Sequence, residues 1–433
     1  MSESSQLSKS IRYVVRSPWQ WVMDELIKET TTTTTKTTTT EKKTKDDKSI
    51  SISIIPMTRV SSRQELPSSQ LPDPPSSKSK KLRDAHLCLD LLQHEGDKTL
   101  RLVQSHHGIS AALDGLEDKD ELVRTFQRCR IDHLEYAPPS ILLRWDTTLQ
   151  ECQNIIVNGT LPTLNSTTTE EIPTTVFAVL KEPLSKKGEG IHFVRNVQEI
   201  HTVLEQHRQT KGDDFLTEVM EQKGRIPMWI LQAEIHPAML IRDSKKFHIR
   251  TYVMAVETRT AESHEVNLYL YHGHEVRIAA EPTAPEDDLA TPSRRREAHI
   301  TNASSVQHRE RVLLSQMDEL NEYQPSLELF IASAFLRLLP DITRRVAVSA
   351  HECSEHIQKH VLGGVDCMMT ASGKWYLLEV NKNPDTPSRE DGLSQEFQHH
   401  LVTFCNDMQQ LLTTSSEEGT QFVKLEDLIP KQK

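Results

Sequence analysis

From Thr30 to Thr40 every residue except Lys36 is threonine, and the charged run EKKTKDDK and the Pro/Ser/Lys stretch LPSSQLPDPPSSKSKK follow it. Such composition offers too little apolar surface to offset the entropy of ordering it. Residues 30–81 are therefore expected to be a disordered insertion, and any core must be built from the remainder. That explains an otherwise thin composition. Only 36% of the 433 residues are hydrophobic and 14 are glycine, against about 45–50% apolar residues and about 7% glycine in average chains. Confined to polar segments, the deficit leaves enough chain for one large domain or a few ordinary ones.

Cys88, Cys129, Cys152, Cys353, Cys367 and Cys405 are scattered with no C-x-x-C pair, which fits a reduced, cytoplasmic setting. Arg12, Arg16 and Asp24 interrupt every early hydrophobic stretch, and no run approaches the roughly 18 apolar residues of a membrane span. No membrane association is expected. The N-x-S/T matches at Asn158, Asn165 and Asn302 carry little weight without secretion. The net charge is −11, and because residues 1–80 are net basic the body is more acidic still. General nucleic-acid binding needs a concentrated basic footprint and is not expected.

Residues 11–29 (IRYVVRSPWQWVMDELIKE) read as a strand, a proline turn and an amphipathic helix. From Leu82 the spacing of Leu87, Leu91 and Leu92 reads as helical, as does ELVRTFQRC; SILLRW after Pro138 and Pro139 reads as a strand. A polar break, NGTLPTLNSTTTEEIP, ends at Pro173. Beyond it, VFAVLKEP, GIHFV and WILQAEI are strand-like, with a helix near 197–208. KKFHIRTYVMAVE and VNLYLYHGHEVRI read as longer strands, with a turn at Gly273. Arg294, Arg295 and Arg296 lie in a polar loop and read as a solvated run rather than a binding patch. Two helices are expected near 326–338 and 342–361, then strands GVDCMMT and KWYLLEV around an ASG turn, then a helix near 393–412. The expected divisions are an N-terminal strand and helix (1–29), the insertion (30–81), a smaller α/β N-terminal domain (82–172), a main domain (173–415) and a C-terminal tail (416–433).

Three segments carry chemistry. In the hairpin flanking Ser372–Gly373, Asp366 lies on one strand, while Glu379 and Asn381, two residues apart, share one face of the other. Two carboxylates and an amide are hard oxygen donors suited to Mg²⁺. A solvated strand face is the bland alternative, weakened because Leu377, Leu378 and Val380 make the strand read as buried. Lys181 ends a strand, and Lys186, Lys187, Gly188, Glu189 and Gly190 form a basic loop whose amides can approach phosphates. Its spacing does not match a P-loop, and an ordinary hairpin is the competing reading. Lys246, His248 and Arg250 alternate with Phe247, Ile249 and Tyr252, so the polar set shares one face, and Arg250 can clamp a phosphoryl or carboxylate group; Arg277 sits near the end of the next strand. Surface charge is the competing reading for each residue alone. Together they form a cationic wall facing a metal-binding set, as phosphoryl transfer requires. His356 and His360 have helical metal spacing, but nothing completes four ligands.

In this order the motifs K-x(6)-GEGI from Lys181, KFHIR, NLYLY..HEVR followed by EP, HITN from His299, and VDC...LLEVNKNP resemble the tubulin–tyrosine ligase family of ATP-grasp carboxylate–amine ligases. The resemblance is strong over 175–387 and faint earlier, where YVVR and DKDELVRTFQRC are similar to that family's N-terminal domain. It implies an α+β (α/β) ATP-grasp fold of antiparallel sheets and helices, with ATP and Mg²⁺ as cofactors. Lys181 would contact ATP phosphates, and Lys187 with Gly188, Glu189, Gly190 and Ile191 would cover them. Gln232, Ala233, Glu234 and Ile235 would form the hinge beside adenine. Lys246, Arg250 and Arg277, with His248, His299, Thr301 and Asn302, would line the nucleotide and amino-acid pocket. Asp366, Glu379 and Asn381 would hold the metal, and Lys119 would be a further nucleotide contact. Two positions depart from the family: Ala233 stands where a lysine is usual and His248 where an aspartate is usual.

The implied reaction activates a carboxylate as an acyl phosphate, with Lys246, Arg250 and Arg277 as its cationic residues, and an amine then displaces phosphate. The implied partners are the tubulin C-terminal tail and a free amino acid, in the cytoplasm and in association with the cytoskeleton. Tyrosine is preferred over glutamate or glycine because the GEGI and NLYLY segments resemble the tyrosine-adding branch and no strongly basic extension is present. A catalytically inactive tubulin- or nucleotide-binding module is the alternative that Ala233 and His248 leave open.

Overall fold

The computed structural model describes residues 111–158, 178–183, 185, 189–259, 264–283, 298–301, 310–349, 358–382, 384, 393–414 and 416–430, with the backbone of four strands before them. The expected insertion (30–81), the first helix, the polar break from Gly159 to Pro173, the arginine run and His351, Cys353 and His356 lie outside the described residues.

The N-terminal strand β1 (Lys9–Val15) pairs antiparallel with β2 (Leu87–Glu95), which pairs with β3 (Lys98–Thr99). The helix expected around Leu87 is therefore a strand. Pairing with a distant segment overrides a local apolar spacing. β4 (Leu102–Val103) runs parallel to a strand of the main sheet. Helices α1 (Ala111–Glu117), α2 (Lys119–Arg128) and α3 (His133–Tyr136) follow, then β5 (Ser140–Leu143) and α4 (Leu149–Asn158).

A four-stranded sheet in the order β5-β8-β6-β7 joins β5 to β6 (Ala178–Lys181), β7 (Ile191–Val194) and β8 (Trp229–Ala233). Helix α5 (Val197–Lys223) spans β7 to β8; Asn196 caps its start by accepting from the Glu199 amide, and Gly212 kinks it with φ 71°. Leu143, Leu180, Leu204, Leu231 and Trp229 form this layer's core.

The main antiparallel sheet has the path β12-β11-β10-β13-β14. It contains β9 (Leu240–Ile241), β10 (Lys245–Arg259), β11 (His264–Pro282), β12 (Glu310–Leu313), β13 (Gln358–Met369) and β14 (Trp375–Lys382). A short helix α6 (Asp318–Asn321) precedes α7 (Gln324–Ser349), and α8 (Gln395–Thr414) leads to β15 (Phe422–Lys424), which pairs with β11.

Period-2 alternation gives the sheet two cores. Phe247, Ile249, Val253 and Ala255 of β10 face α1 and α7, while Tyr252, Met254 and Val256 face α8 through Phe397, Leu401 and Phe404. Tyr252 thus shares the face of Lys246, His248 and Arg250 instead of opposing it. The fully buried aromatics Tyr252, Phe335, Phe397 and Phe404 contribute about 1.5–3 kcal/mol each on an area basis.

Three local expectations are corrected here. Gly273 is not a turn but lies inside the continuous 19-residue β11. A Cβ there would sit 2.1 Å from His400 Cε1, so the glycine admits α8 rather than reversing the chain. The two helices expected around Pro340 are one. Phe335, Leu338, Ile342 and Val346 keep a single buried stripe across it, and Pro340 faces solvent, where a helix tolerates the lost amide best. The second of those helices would have run through Val361, but residues 358–369 are β13, so His360 is a buried strand residue. No described helix is long and apolar enough to cross a membrane.

Candidate active site between the two sheets

A cavity lies between the four-stranded sheet and the main sheet. The small sheet contributes Val179 and Lys181 from β6, Ile191 and Phe193 from β7, and Gln232 and Ala233 from β8; Glu234 and Ile235 continue from β8. The main sheet contributes Lys246 and His248 from β10, Asp366 and Met368 from β13, and Leu378 and Glu379 from β14. His299, Ile300 and Thr301 close one side and Lys119 another.

The carboxylate end is built by register. Asp366 and Glu379 are partners across β13 and β14, and Gly364 is the partner of Asn381. The Asn381 amide donates to Glu379 Oε1 at 3.1 Å and to Asp366 Oδ2 at 3.3 Å, so the three donors converge. The register shifts by one residue between Asp366 and Cys367. This bulge explains why Leu378 and Glu379, adjacent in sequence, both line the cavity while Leu377 and Val380 are buried in the core.

Asp366 is buried, and Arg250 grips it with both arms of its guanidinium, Nη2 donating to Oδ2 at 2.7 Å and Nε to Oδ1. Burial alone would raise the Asp366 pKa; Arg250 and His248 outweigh it and hold it well below the usual carboxylate range. The grip removes Arg250 from the cavity wall. Arg277 is also off the wall, beside His248 in register and donating to Glu275 at 3.1 Å. Both arginines were expected to face the pocket directly; a buried carboxylate behind the wall claims each instead.

Lys181 makes no hydrogen bond or ion pair among the described residues. Burial lowers its pKa to about 8, against the pull of Glu379. Lys119 reaches the same end of the cavity, its Nζ donating to the Ser185 carbonyl at 2.6 Å. Its helix is anchored by Arg225, which no motif singles out. Arg225 donates to Asp120 Oδ2 at 2.6 Å and to Asp118 Oδ2 at 3.0 Å, and Asp120 also accepts the Met228 amide at 3.0 Å. No local signal links partners more than a hundred positions apart.

At the opposite end, Glu234 Oε1 accepts from Lys246 Nζ and lies 3.0 Å from His299 Nδ1. Burial would raise Glu234; His299 and Lys246 bring it down to about 2. His248 contacts Thr301 through Nδ1, with Nε2 3.5 Å from Asp366 Oδ1; burial lowers its pKa, so the ring is neutral at pH 7.

In the loop after β6, Gly190 has φ 62°, and a Cβ there would meet Glu182 and Ser185 at 2.7 Å. Only glycine suits that turn. Glu189 is exposed, and neither it nor Gly190 lines the cavity. Lys187, Gly188 and Asn302 lie outside the described residues. The apolar walls Val179, Phe193, Ile300, Met368 and Leu378 give no signal of a site in the sequence, because apolar strand residues read as core.

The donor set fits a magnesium nucleotide: hard oxygen ligands beside two lysines at one end, apolar walls between, and hydrogen-bonding groups at the other. Among curated proteins no relative matches the chain. The sequence profile of the tubulin-tyrosine ligase family matches residues 145–416, which contain most strands of both sheets and the cavity wall except Lys119. The chain, an ATP-dependent ligase in general class with an α+β ATP-grasp-like fold, belongs to the tubulin-tyrosine ligase family.

Proposed function

We propose that the protein joins a free amino acid to the C-terminal tail of tubulin in the cytoplasm, with tyrosine as the preferred amino acid. The observation that carries the ligase chemistry is the meeting of Asp366, Glu379 and Asn381 with Lys181, which has no hydrogen-bond or ion-pair partner among the described residues, at one end of the cavity. In this reading Asp366, Glu379 and Asn381 would hold Mg²⁺, which supplies Lewis-acid neutralisation of the phosphate charge. Lys181 and Lys119, which line the cavity, bind phosphate oxygens. Arg250 acts as a positioning residue: its fork fixes Asp366. The carboxylate oxygen of the acceptor attacks the terminal phosphorus of ATP and ADP leaves. The amine then attacks the resulting acyl phosphate, phosphate leaves with the C–O bond pair, and an amide and a proton are released.

Glutamate or glycine addition is the second reading within the class. The experiment is incubation of the purified chain with tubulin, Mg-ATP and labelled tyrosine, glutamate or glycine in parallel. Label from tyrosine in the α-tubulin tail is the expected result. Label from another amino acid corrects the amino acid alone. No label from any, with intact nucleotide binding, overturns the ligase reading in favour of a binding module.

A further inference from the structure

We propose that Glu182, braced against His207 of α5, is the positioning residue that holds both cavity lysines, Lys181 and Lys119, in place for a phosphate chain. The proposal rests on the nucleotide reading of the cavity and adds the support behind its cationic end.

Alternation along β6 sets the arrangement up. Val179 and Lys181 line the cavity, while Ala178 and Leu180 are buried on the other face with Trp229 and with Leu204 of α5. Glu182, the next residue, continues that second face toward α5, where its Oε1 lies 3.4 Å from His207 Nε2. His207 lies one turn on from Leu204 and is held by aromatic rings, with centroids 4.8 Å away for Trp145 and 5.1 Å away, edge-on, for Trp229. Burial lowers the His207 pKa to about 4, so the neutral ring meets Glu182 as a hydrogen-bonding group and not as a counter-charge. Among the described residues Nε2 has no hydrogen-bond partner, so Glu182 is the group it faces. Lys211 of α5, Lys119 of α2 and Glu189 of the loop are the other charges around that carboxylate.

Both lysines hang on this one residue. Lys181 is the register partner of Ile191, and the Glu182 amide closes the pairing by donating to the Gly190 carbonyl at 2.8 Å. A Cβ on Gly190 would meet Glu182 Oε2 at 2.7 Å, so the glycine leaves the passage through which the carboxylate reaches α5. On the other side, the Ser185 hydroxyl donates to the Glu182 carbonyl at 2.9 Å, and the Ser185 carbonyl accepts from Lys119 Nζ at 2.6 Å. One backbone position thus fixes the strand end that carries Lys181 and the turn that holds Lys119. Neither Glu182 nor His207 lines the cavity, so their effect on a ligand runs through the lysines.

The test is competition of ATP and adenosine against a fluorescent ATP analogue, on the full chain with Mg²⁺. The ratio of the two affinities reads the phosphate end alone. Glu182→Ala is expected to lower the ATP/adenosine ratio about tenfold by weakening ATP, with adenosine unchanged. His207→Phe, which keeps the ring packing and removes Nε2, is expected to lower it at least about threefold, and Glu182→Gln, which keeps an acceptor for His207, to stay within about twofold of the parent. If Glu182→Ala does not fold, His207→Phe is read in its place. An unchanged ratio in the folded variant, equal weakening of ATP and adenosine, or a fall in Glu182→Gln as deep as in the variants that remove the contact overturns the proposal alone. An unmodified protein that does not bind the analogue, or binds adenosine as tightly as ATP, overturns the phosphate end of the cavity and this proposal together.

Discussion

Asp366 and Glu379 are register partners on adjacent antiparallel strands, and the Asn381 amide binds both. Yet their surroundings differ. Asp366 is buried in the grip of Arg250, whereas Glu379 faces the cavity and is only half-buried. The two carboxylates should therefore fail differently. Glu379→Gln is expected to melt within about 1 °C of the parent and to lose the stabilisation by Mg-ATP. Asp366→Asn leaves the buried Arg250 charge unpaired, which costs about 3–5 kcal/mol. Thermal melts with and without Mg-ATP separate the two; equal destabilisation by both would show that Glu379 is a structural residue.

The anchoring of Lys119 gives a second prediction. Arg225 holds Asp118 and Asp120 at the start of α2, 105 residues from Asp120 in sequence. Asp120 is fully buried, so Arg225→Met should destabilise the fold by about 3 kcal/mol. It should also weaken nucleotide binding although Arg225 does not line the cavity. Chemical denaturation and nucleotide titration measure the two effects. Weakened stability with unchanged affinity would mean that Lys119 is placed independently.

Gly273 tests how the C-terminal helix seats on the sheet. A Cβ there lies 2.1 Å from His400 Cε1 and 2.5 Å from Tyr271 Cε1. Gly273→Ala is expected to cost about 1–3 kcal/mol by overpacking. His400→Ala in the same chain should recover part of that loss, because it removes the closest obstacle. Denaturation midpoints of the single and double variants measure the coupling.

Glu328 on α7 gives a pH prediction. It accepts from His272 at 2.6 Å, from His274 at 3.0 Å and from Gln324 at 2.8 Å. Burial would raise its pKa, but these hydrogen bonds bring it from 4.5 to about 2. Its stabilisation is full above pH 4.5 and is lost as pH falls toward about 2. His272 is raised above 6.5 by the same carboxylate. Its share is full below pH 6.5 and is lost as pH rises through the folded value. The stability difference between the parent and Glu328→Gln should therefore be greatest between pH 4.5 and 6.5 and should shrink on both sides. A difference flat from pH 3 to 9 would show that neither group is coupled to folding.

By itself the sequence determined the identity of the strands that carry the site and the chemical character of its residues. VDC and LLEVN flank a turn so that a hairpin carries Asp366 on one strand and Glu379 and Asn381 on one face of the other, and KKFHIR puts Lys246, His248 and Arg250 on one face. Period-2 geometry makes such statements local, and the order of the motifs made the family resemblance readable. Tertiary structure decided what each charge faces. Arg250 and Arg277 turn to buried carboxylates, Glu234 claims Lys246, and a one-residue bulge brings Leu378 to the cavity. It also made Gly273 a seat for α8, joined two helices across Pro340, and drew 87–95 into a strand against β1. In every case the deciding partner is distant in sequence or on a neighbouring strand. A buried charge or a close approach is settled by which partner the fold brings near, and local periodicity carries no record of that choice.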